Sequence, residues 1–418
     1  MAGGRKRSKV KISAEIVIAL VILALIAAVA CYFLVPEFKD AVNRYFSRIF
    51  GDDEKPANLA KGENELRVHY LDVGQGDCIF IEFPDDTVML IDSGDGRNTG
   101  ETDTSRYIVG YLEDLGVEVI DYLMLTHSDA DHAGNMVEIL DAFEVEKAYV
   151  PDIDEGVIET QTYKNFAEAL GRETYTAEGG GTAACEILIS QMGDLIESES
   201  ETEEFFMAFL SPSPRGMSEE GEYDELNSKK PNKDDAAINA VSPITYLEYM
   251  GKRFVFTGDV IGDPAERVMQ RYEAGVYDNM FKKGGSEGEN YYSVDFSAGV
   301  DVYKAAHHGS RTHGSNALEF LQFLRPEYAI CCVQEGEYND MPASALLTDL
   351  AELGTTLYRT DENGTVVVTV YPETGKELSF YLTRQDQTVG GDAVAEGAAY
   401  FVSRRKIMVN CVFAEAIA

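Results

Sequence analysis

Three short stretches of this chain hold side chains of the kinds that grip divalent cations. "LTHSDADHAGN", from Leu125 to Asn135, places His127, Asp129, Asp131 and His132 directly after an apolar run. "FTGD" puts Asp259 at the tip of a second apolar run, and "AAHHGS" puts His307 and His308 at the tip of a third. A metal centre needs several donors converging on one point, and loops at strand ends supply that because the strand fixes where each loop begins. In the His-x-Asp-x-Asp-His spacing, His127, Asp129 and Asp131 can face inward together, while His132 turns toward a second ion as a helix begins near Ala133. Imidazoles mixed with carboxylates suit Zn²⁺ or Mn²⁺ better than Mg²⁺. An aspartate lying between two cations can bridge them, which is the reading for Asp259, and a histidine from a separate strand completes the second ion's set of donors. Taken singly, Asp259 also reads as a turn or helix-cap residue and the histidine pair as core imidazoles.

The elements that must position these residues are short strands alternating with helices from Glu65 onward. "LRVHYLDV", "CIFIEF" and "TVMLIDSG" read as strands, Thr104 to Leu115 as a helix, and "VIDYLMLT" as the strand that delivers the first stretch. "ITYLEYMGKRFVFTGDV" reads as a hairpin turning at Met250-Gly251-Lys252, followed by a helix near Asp263-Pro264. After the strand "VDVYKAA" come "HHGS", a helix near Asn316 to Leu324, the strand "YAICCV", a helix from Ala343 to Leu353 and the strands "TTLYRT", "TVVVTV" and "ELSFYL". "EGGGTAA", the acidic "ESESETEE", Ser211 to Asp235 and Lys282 to Asn290 read as surface insertions.

Several of these motifs, in this order, carry a resemblance. "LDVGQGDCIFIEF", "LIDSG", "LTHSDADHAGN", "NAVSPITYLEYMGKRFVFTGD" and "KAAHHGSRT" resemble the metallo-β-lactamase-fold domain of the ComEC-type DNA-uptake competence proteins, over roughly Glu65 to Leu382. The resemblance implies an α/β, metallo-β-lactamase-like αββα sandwich with a metal site at one edge, and hydrolysis of phosphodiesters. Carried over by position, His127 and Asp129 hold a first ion, Asp131 and His132 a second, Asp259 bridges, and His307 completes the second ion's donors. His308 is the alternative to His307, and His308 and His313 are further candidates for metal or substrate contact. Asp92 resembles the aspartate that orients the ligand loop, and Asp77, Asn239 and Ser242 match positions around the site. Asp131 and Asp259 are the expected catalytic carboxylates, working with two divalent ions, Zn or Mn.

The match has gaps. "YNDMPAS" stands where the family commonly has Tyr-Gly-His-Pro-His, so histidines for phosphate contact or proton delivery are missing there. No histidine lies between His132 and His307, which disfavours antibiotic hydrolysis. His69 reads as a strand residue, and "GQGD" as a turn too short to cradle a nucleotide.

Composition adds the setting. The 418 residues are 45% hydrophobic with a formal charge of −38, enough apolar content for a substantial core. The first fifty residues are net basic, so the remainder is more acidic still, and it repels phosphate polymers unless metal ions intervene. Arg5, Lys6, Arg7, Lys9 and Lys11 precede an unbroken apolar run from Ile16 to Val35, long enough to cross a bilayer with the N-terminus held in the cytoplasm. Cleavage after Ala28-Val29-Ala30 or lipidation at Cys31 are the other readings, and every version exports the domain. The expected organisation is a basic tail (1–11), a transmembrane helix (12–35), a juxtamembrane linker (36–64), the metallo-β-lactamase-fold domain (65–384) and a C-terminal tail (385–418). Six cysteines show no paired spacing, so buried thiols are expected rather than a disulfide scaffold.

The function expected is an exported, membrane-anchored dinuclear hydrolase with a phosphodiester substrate, either DNA or a cell-wall polymer, and no stable protein partner. Two alternatives stand beside it. A cell-wall phosphorylcholine esterase shares a similar "DVGQGD" opening, and 23 tyrosines offer material for a choline cage. A catalytically silent surface-binding module is the other.

Overall fold

Alternation of apolar residues along the strands builds the core. In Ile79–Glu82, Ile79 and Ile81 point one way and Phe80 the other, as a two-residue side-chain period requires. The computed structural model describes residues 61–390 apart from 97–103, 178, 199–203, 218–220, 229–234, 285–289, 335–340, 374 and 386. Among them, one sheet has nine strands in the order Gln387–Gly390, Ser379–Leu382, Val366–Val370, Leu66–Tyr70, Ile79–Glu82, Val88–Ile91, Val119–Met124, Glu144–Val150 and Glu186–Ile189. A second has seven: Thr356–Arg359, Tyr328–Cys331, Val302–Lys304, Lys252–Phe256, Thr245–Tyr249, Phe205–Phe209 and Leu195–Glu197.

Between the sheets, Leu66, Val68, Tyr70, Ile79 and Ile81 pack in one cluster with Phe205, Met207, Phe209, Phe254 and Phe256. Phe83 stacks on Phe205 with ring centroids 4.4 Å apart. Each such side chain contributes roughly 1.5–3 kcal/mol on burial. Outside the first sheet, Phe80, Leu90 and Leu123 meet Ile108, Leu112, Met136, Ile139 and Phe166 from helices. Outside the second, Phe206, Tyr246 and Val255 meet Val268, Phe320, Leu321, Leu346 and Leu350. The layers therefore run helix, sheet, sheet, helix.

Strand direction gathers the motifs. Val88–Ile91, Val119–Met124 and Glu144–Val150 are parallel neighbours, as are Lys252–Phe256, Val302–Lys304 and Tyr328–Cys331. Asp92, the 125–132 loop, Asp259 and the histidine pair all follow the carboxyl ends of such strands, the end of an α/β sheet where crossovers leave a crevice. The hairpin turn falls on Met250 and Gly251, with φ of 51° and 74°, the pair of positive values that a tight two-residue turn demands.

Two expectations change. The sheet continues past 384, because Gln387–Gly390 pairs with Ser379–Leu382. The Ser211 to Asp235 stretch is not a mere surface insertion: within it Glu222–Ser228 forms a helix whose Tyr223 and Leu226 are buried with Val157, Ile158, Ala237 and Val241. Those two residues share one face three positions apart, and the acidic residues around them hid the pattern. The expected basic tail, transmembrane helix and most of the linker lie outside the described residues; among those described, no helix is long and apolar enough to cross a membrane. Cys78, Cys185, Cys331 and Cys332 are buried free thiols.

Candidate metal centre

The loop after Val119–Met124 is held by Asp92, which is fully buried with a left-handed φ of 57°. One of its carboxylate oxygens accepts the Thr126 backbone N–H at 2.8 Å, and the other accepts the Thr126 hydroxyl and His132 Nδ1, each at 2.7 Å. With Nδ1 donating there, His132 presents Nε2 inward, 3.1 Å from Asp259 Oδ1. Thr126 spends its hydroxyl proton on Asp92, so its oxygen is left to accept from His127 Nδ1 at 3.0 Å. Ser242 Oγ also lies 3.3 Å from that nitrogen and accepts the Asp259 N–H at 3.2 Å. His308 donates Nδ1–H to the Cys332 carbonyl at 2.9 Å. Its Nε2 then lies 3.3 Å from Asp131 Oδ2 and 3.4 Å from Asp259 Oδ2. All three imidazoles thus have Nδ1 occupied and Nε2 turned inward, the arrangement in which a second partner fixes the tautomer of a metal-ligating histidine.

The glycines let these loops close. A Cβ on Gly76, whose φ is +131°, would lie 2.2 Å from the Asp131 carbonyl oxygen. That carbonyl accepts the Asp77 N–H at 3.2 Å, so the "GQGD" turn braces the ligand loop rather than binding a nucleotide.

Beneath the centre lies Lys304, wholly buried, its ammonium against the Asp77 carboxylate, 2.9 Å from the Gly258 carbonyl and 3.9 Å from Asp259 Oδ1. Burial raises the pKa of Asp259, but His308 and then His132 outweigh it and hold the carboxyl well below its ordinary range. Burial raises the pKa of Asp131 as well, but the facing imidazoles, His308 ahead of His132, outweigh it and lower the carboxyl below its ordinary range. Burial favours neutral imidazole at His132 and His308, yet the facing carboxylates, Asp259 foremost, raise both. At Lys304 burial is overridden by Asp77 and Asp259, which keep the ammonium charged.

Of the expected residues, the structure gathers His127, His132 and Asp259 into one group, Asp131, His132 and His308 into a second, and Asp77, Asp92 and His132 into a third, each with donor atoms within 4.8 Å of one another. His308, rather than His307, meets Asp131. Both histidines have positive φ, 49° and 51°, and this turn sends His308 inward while His307 keeps 18% of its side chain exposed, its Nε2 3.7 Å from Asp259 Oδ2. Asp129 stays at the rim, 39% exposed and 3.7 Å from His127 Nε2. His313 is exposed, and Asn239 is buried with its side-chain oxygen unpaired; neither joins a metal-capable group among the described residues. His69 is indeed a strand residue, bonded to Tyr111 and Glu82, each at 2.8 Å. Sequence reading missed Thr126 and Lys304. A lysine inside the apolar run "VDVYKAA" was the available signal, since an ammonium is buried only where it is paired.

Residues 71–208, which include Asp77, Asp92 and the whole 127–132 stretch, match the model of the metallo-β-lactamase superfamily. Over that stretch the chain is similar to the metallo-β-lactamase superfamily. It is 25% identical over 315 residues to ComE operon protein 3 of Bacillus subtilis (strain 168), covering 72% of this chain and 33% of that protein. The chain therefore spans about a third of the length of that curated relative. Among solved structures, similarity extends to Igni18, a metallo hydrolase from the archaeon Ignicoccus hospitalis KIN4/I, at 14% identity and a TM-score of 0.39, covering 72% of this chain and 98% of the other. A metallo-β-lactamase mutant from Cronobacter sakazakii matches at 14% identity and a TM-score of 0.30, covering 68% and 90%.

The superfamily implies metal, and the donors fit it. His127 Nε2, His132 Nε2, His308 Nε2 and Asp259 Oδ1 are buried with no regular hydrogen bond, a costly state for polar atoms that a cation would relieve.

Proposed function

We propose that this protein is a metal-dependent hydrolase of the phosphodiesterase or nuclease type, exported and tethered to the cell membrane by its N-terminal segment. The observation that carries the reading is the convergence of the His127, His132 and His308 imidazoles with Asp131 and Asp259 at the carboxyl ends of strands from both sheets. His127, Asp129 and Asp259 would hold one divalent ion, Zn or Mn, and Asp131, His132, His308 and Asp259 a second. When bound, such ions would supply Lewis acidity to activate water near neutral pH and offset charge gathering on phosphoryl oxygens.

The chain's own residues do the rest. Asp92 and Thr126 fix the imidazole tautomers, Ser242 aims Asp259, and Asp131 stands beside His308 to orient a water. His307 sits at the rim, partly exposed, where a substrate oxygen would approach. A phosphodiester is favoured over a β-lactam by the ordered motif resemblance. The acidic surface, in a chain of net charge −38, means that a polyanion such as DNA or a cell-wall polymer would arrive accompanied by cations. Residues 12–35 would cross the membrane, leaving the domain outside.

Purified full chain, incubated with single-stranded DNA and separately with phosphorylcholine esters in Mn²⁺ or Zn²⁺, tests the reading. DNA cleavage abolished by Asp259→Ala is the expected result. Full hydrolysis by Asp259→Ala would refute the site assignment, ester cleavage alone would move the substrate to the cell wall, and absence of both activity and bound metal would favour a silent binding module.

A further inference from the structure

The third metal-capable group, Asp77 with Asp92 and His132, lies on the wrong side of His132. An ion there would take Nδ1, break the 2.7 Å bond to Asp92 and move the imidazole proton to Nε2, disabling the atom that faces Asp259. The Lys304 ammonium already stands at this side, in contact with Asp77. The same lysine is locked to the turn that carries Asp259: its ammonium donates to the Gly258 carbonyl at 2.9 Å, and the Thr257 hydroxyl donates back to the Lys304 carbonyl at 2.8 Å. The ammonium also comes within 3.9 Å of Asp259 Oδ1, but a cation is no metal ligand, and burying one is expensive without a paired role.

We propose that Lys304 is a positioning residue, a built-in cation that neutralises Asp77, closes the Asp77–Asp92–His132 side of the pocket to metal, and keeps divalent ions on the Nε2 side with Asp131, Asp259, His127 and His308. The inference rests on reading the pocket as a metal centre. Removing the ammonium frees Asp77 to compete for the ion, so the ion is misplaced rather than lost. Removing both charges together restores the original choice of side.

Co²⁺ serves as the probe, titrated into the purified full chain as wild type, Lys304→Met, Asp77→Asn and the double variant, with visible absorption spectra and turnover of a chromogenic phosphodiester recorded. Lys304→Met should keep Co²⁺ affinity at or above the wild-type level, show an altered spectrum, and lose about ten- to a hundredfold in turnover, the range for outer partners of metal ligands. The double variant should regain the wild-type spectrum. A Lys304→Met spectrum identical to wild type overturns the proposal, as does a double variant no closer to wild type than Lys304→Met. Should Lys304→Met fail to fold, the double variant decides: a wild-type spectrum supports the role, and an altered spectrum or an unfolded chain overturns it. Wild type that takes up no Co²⁺ removes the metal-centre reading and this one with it, whereas wild-type uptake with an unaltered Lys304→Met removes this one alone.

Discussion

Replacing Asp92 by Asn exchanges one oxygen for an amide nitrogen with almost no change of shape, and the hydrogen bonds around it dictate the consequence. The oxygen that accepts the Thr126 N–H at 2.8 Å can stay where it is. The amide nitrogen then occupies the position that accepted both His132 Nδ1 and the Thr126 hydroxyl. Two donors now meet at His132, which must carry its proton on Nε2 instead. Thr126, receiving a hydrogen bond from the amide, turns its own hydroxyl proton toward His127 Nδ1, 3.0 Å away, and drives that imidazole to the same wrong tautomer. One neutral substitution thereby disables two ligands. Disturbing a single outer partner costs about 10–100-fold in metal affinity; two ligands place Asp92→Asn at the upper end, about 2.8 kcal/mol at ~1.4 kcal/mol per decade. Competition of Mn²⁺ or Zn²⁺ binding against a chelator measures it directly, with circular dichroism to show that the fold persists. Wild-type affinity in a folded Asp92→Asn would refute the tautomer argument.

Gly76→Ala should lower the urea midpoint and weaken metal binding together, because its Cβ would meet the Asp131 carbonyl at 2.2 Å at a φ of +131° and such backbone strain costs ~1–3 kcal/mol before any displacement; an unchanged midpoint would count against the bracing role of this turn. Burial raises the Asp194 pKa to about 6 against the pull of the Gln191 N–H. The folded chain therefore keeps a proton that the unfolded chain has released, stability falls as pH rises from about 4 to 6 and stays reduced above, and Asp194→Asn should melt higher than wild type at pH 7 but not at pH 3.5. Raising salt from 0.01 to 0.15 M shortens the Debye length from ~30 to ~8 Å. With a net charge of −38 cleavage of single-stranded DNA should accelerate while that of a small chromogenic phosphodiester should not; slowing of DNA cleavage would reveal a basic track that dominates its approach.

Local pattern along the chain was enough to locate the strand ends and the donors on them. Period-two alternation marked the strands, and polar residues placed just after apolar runs marked His127, Asp131, His132 and Asp259, because a residue's distance from a strand's end is a local property. The Tyr223 helix escaped notice because its apolar face is two residues wide within a polar stretch. Tertiary structure decided what depends on partners remote in sequence. His307 and His308 are neighbours of identical chemistry, and only the left-handed turn and the Cys332 carbonyl, 24 residues from His308, turn His308 inward. Lys304 acquires meaning from Asp77, which lies beside the other sheet, and Asp92 controls His132 across 40 residues. Charge pairing and tautomer choice act over a few ångströms of space, whereas sequence patterns report a few residues of chain, and the two coincide only within single strands and turns.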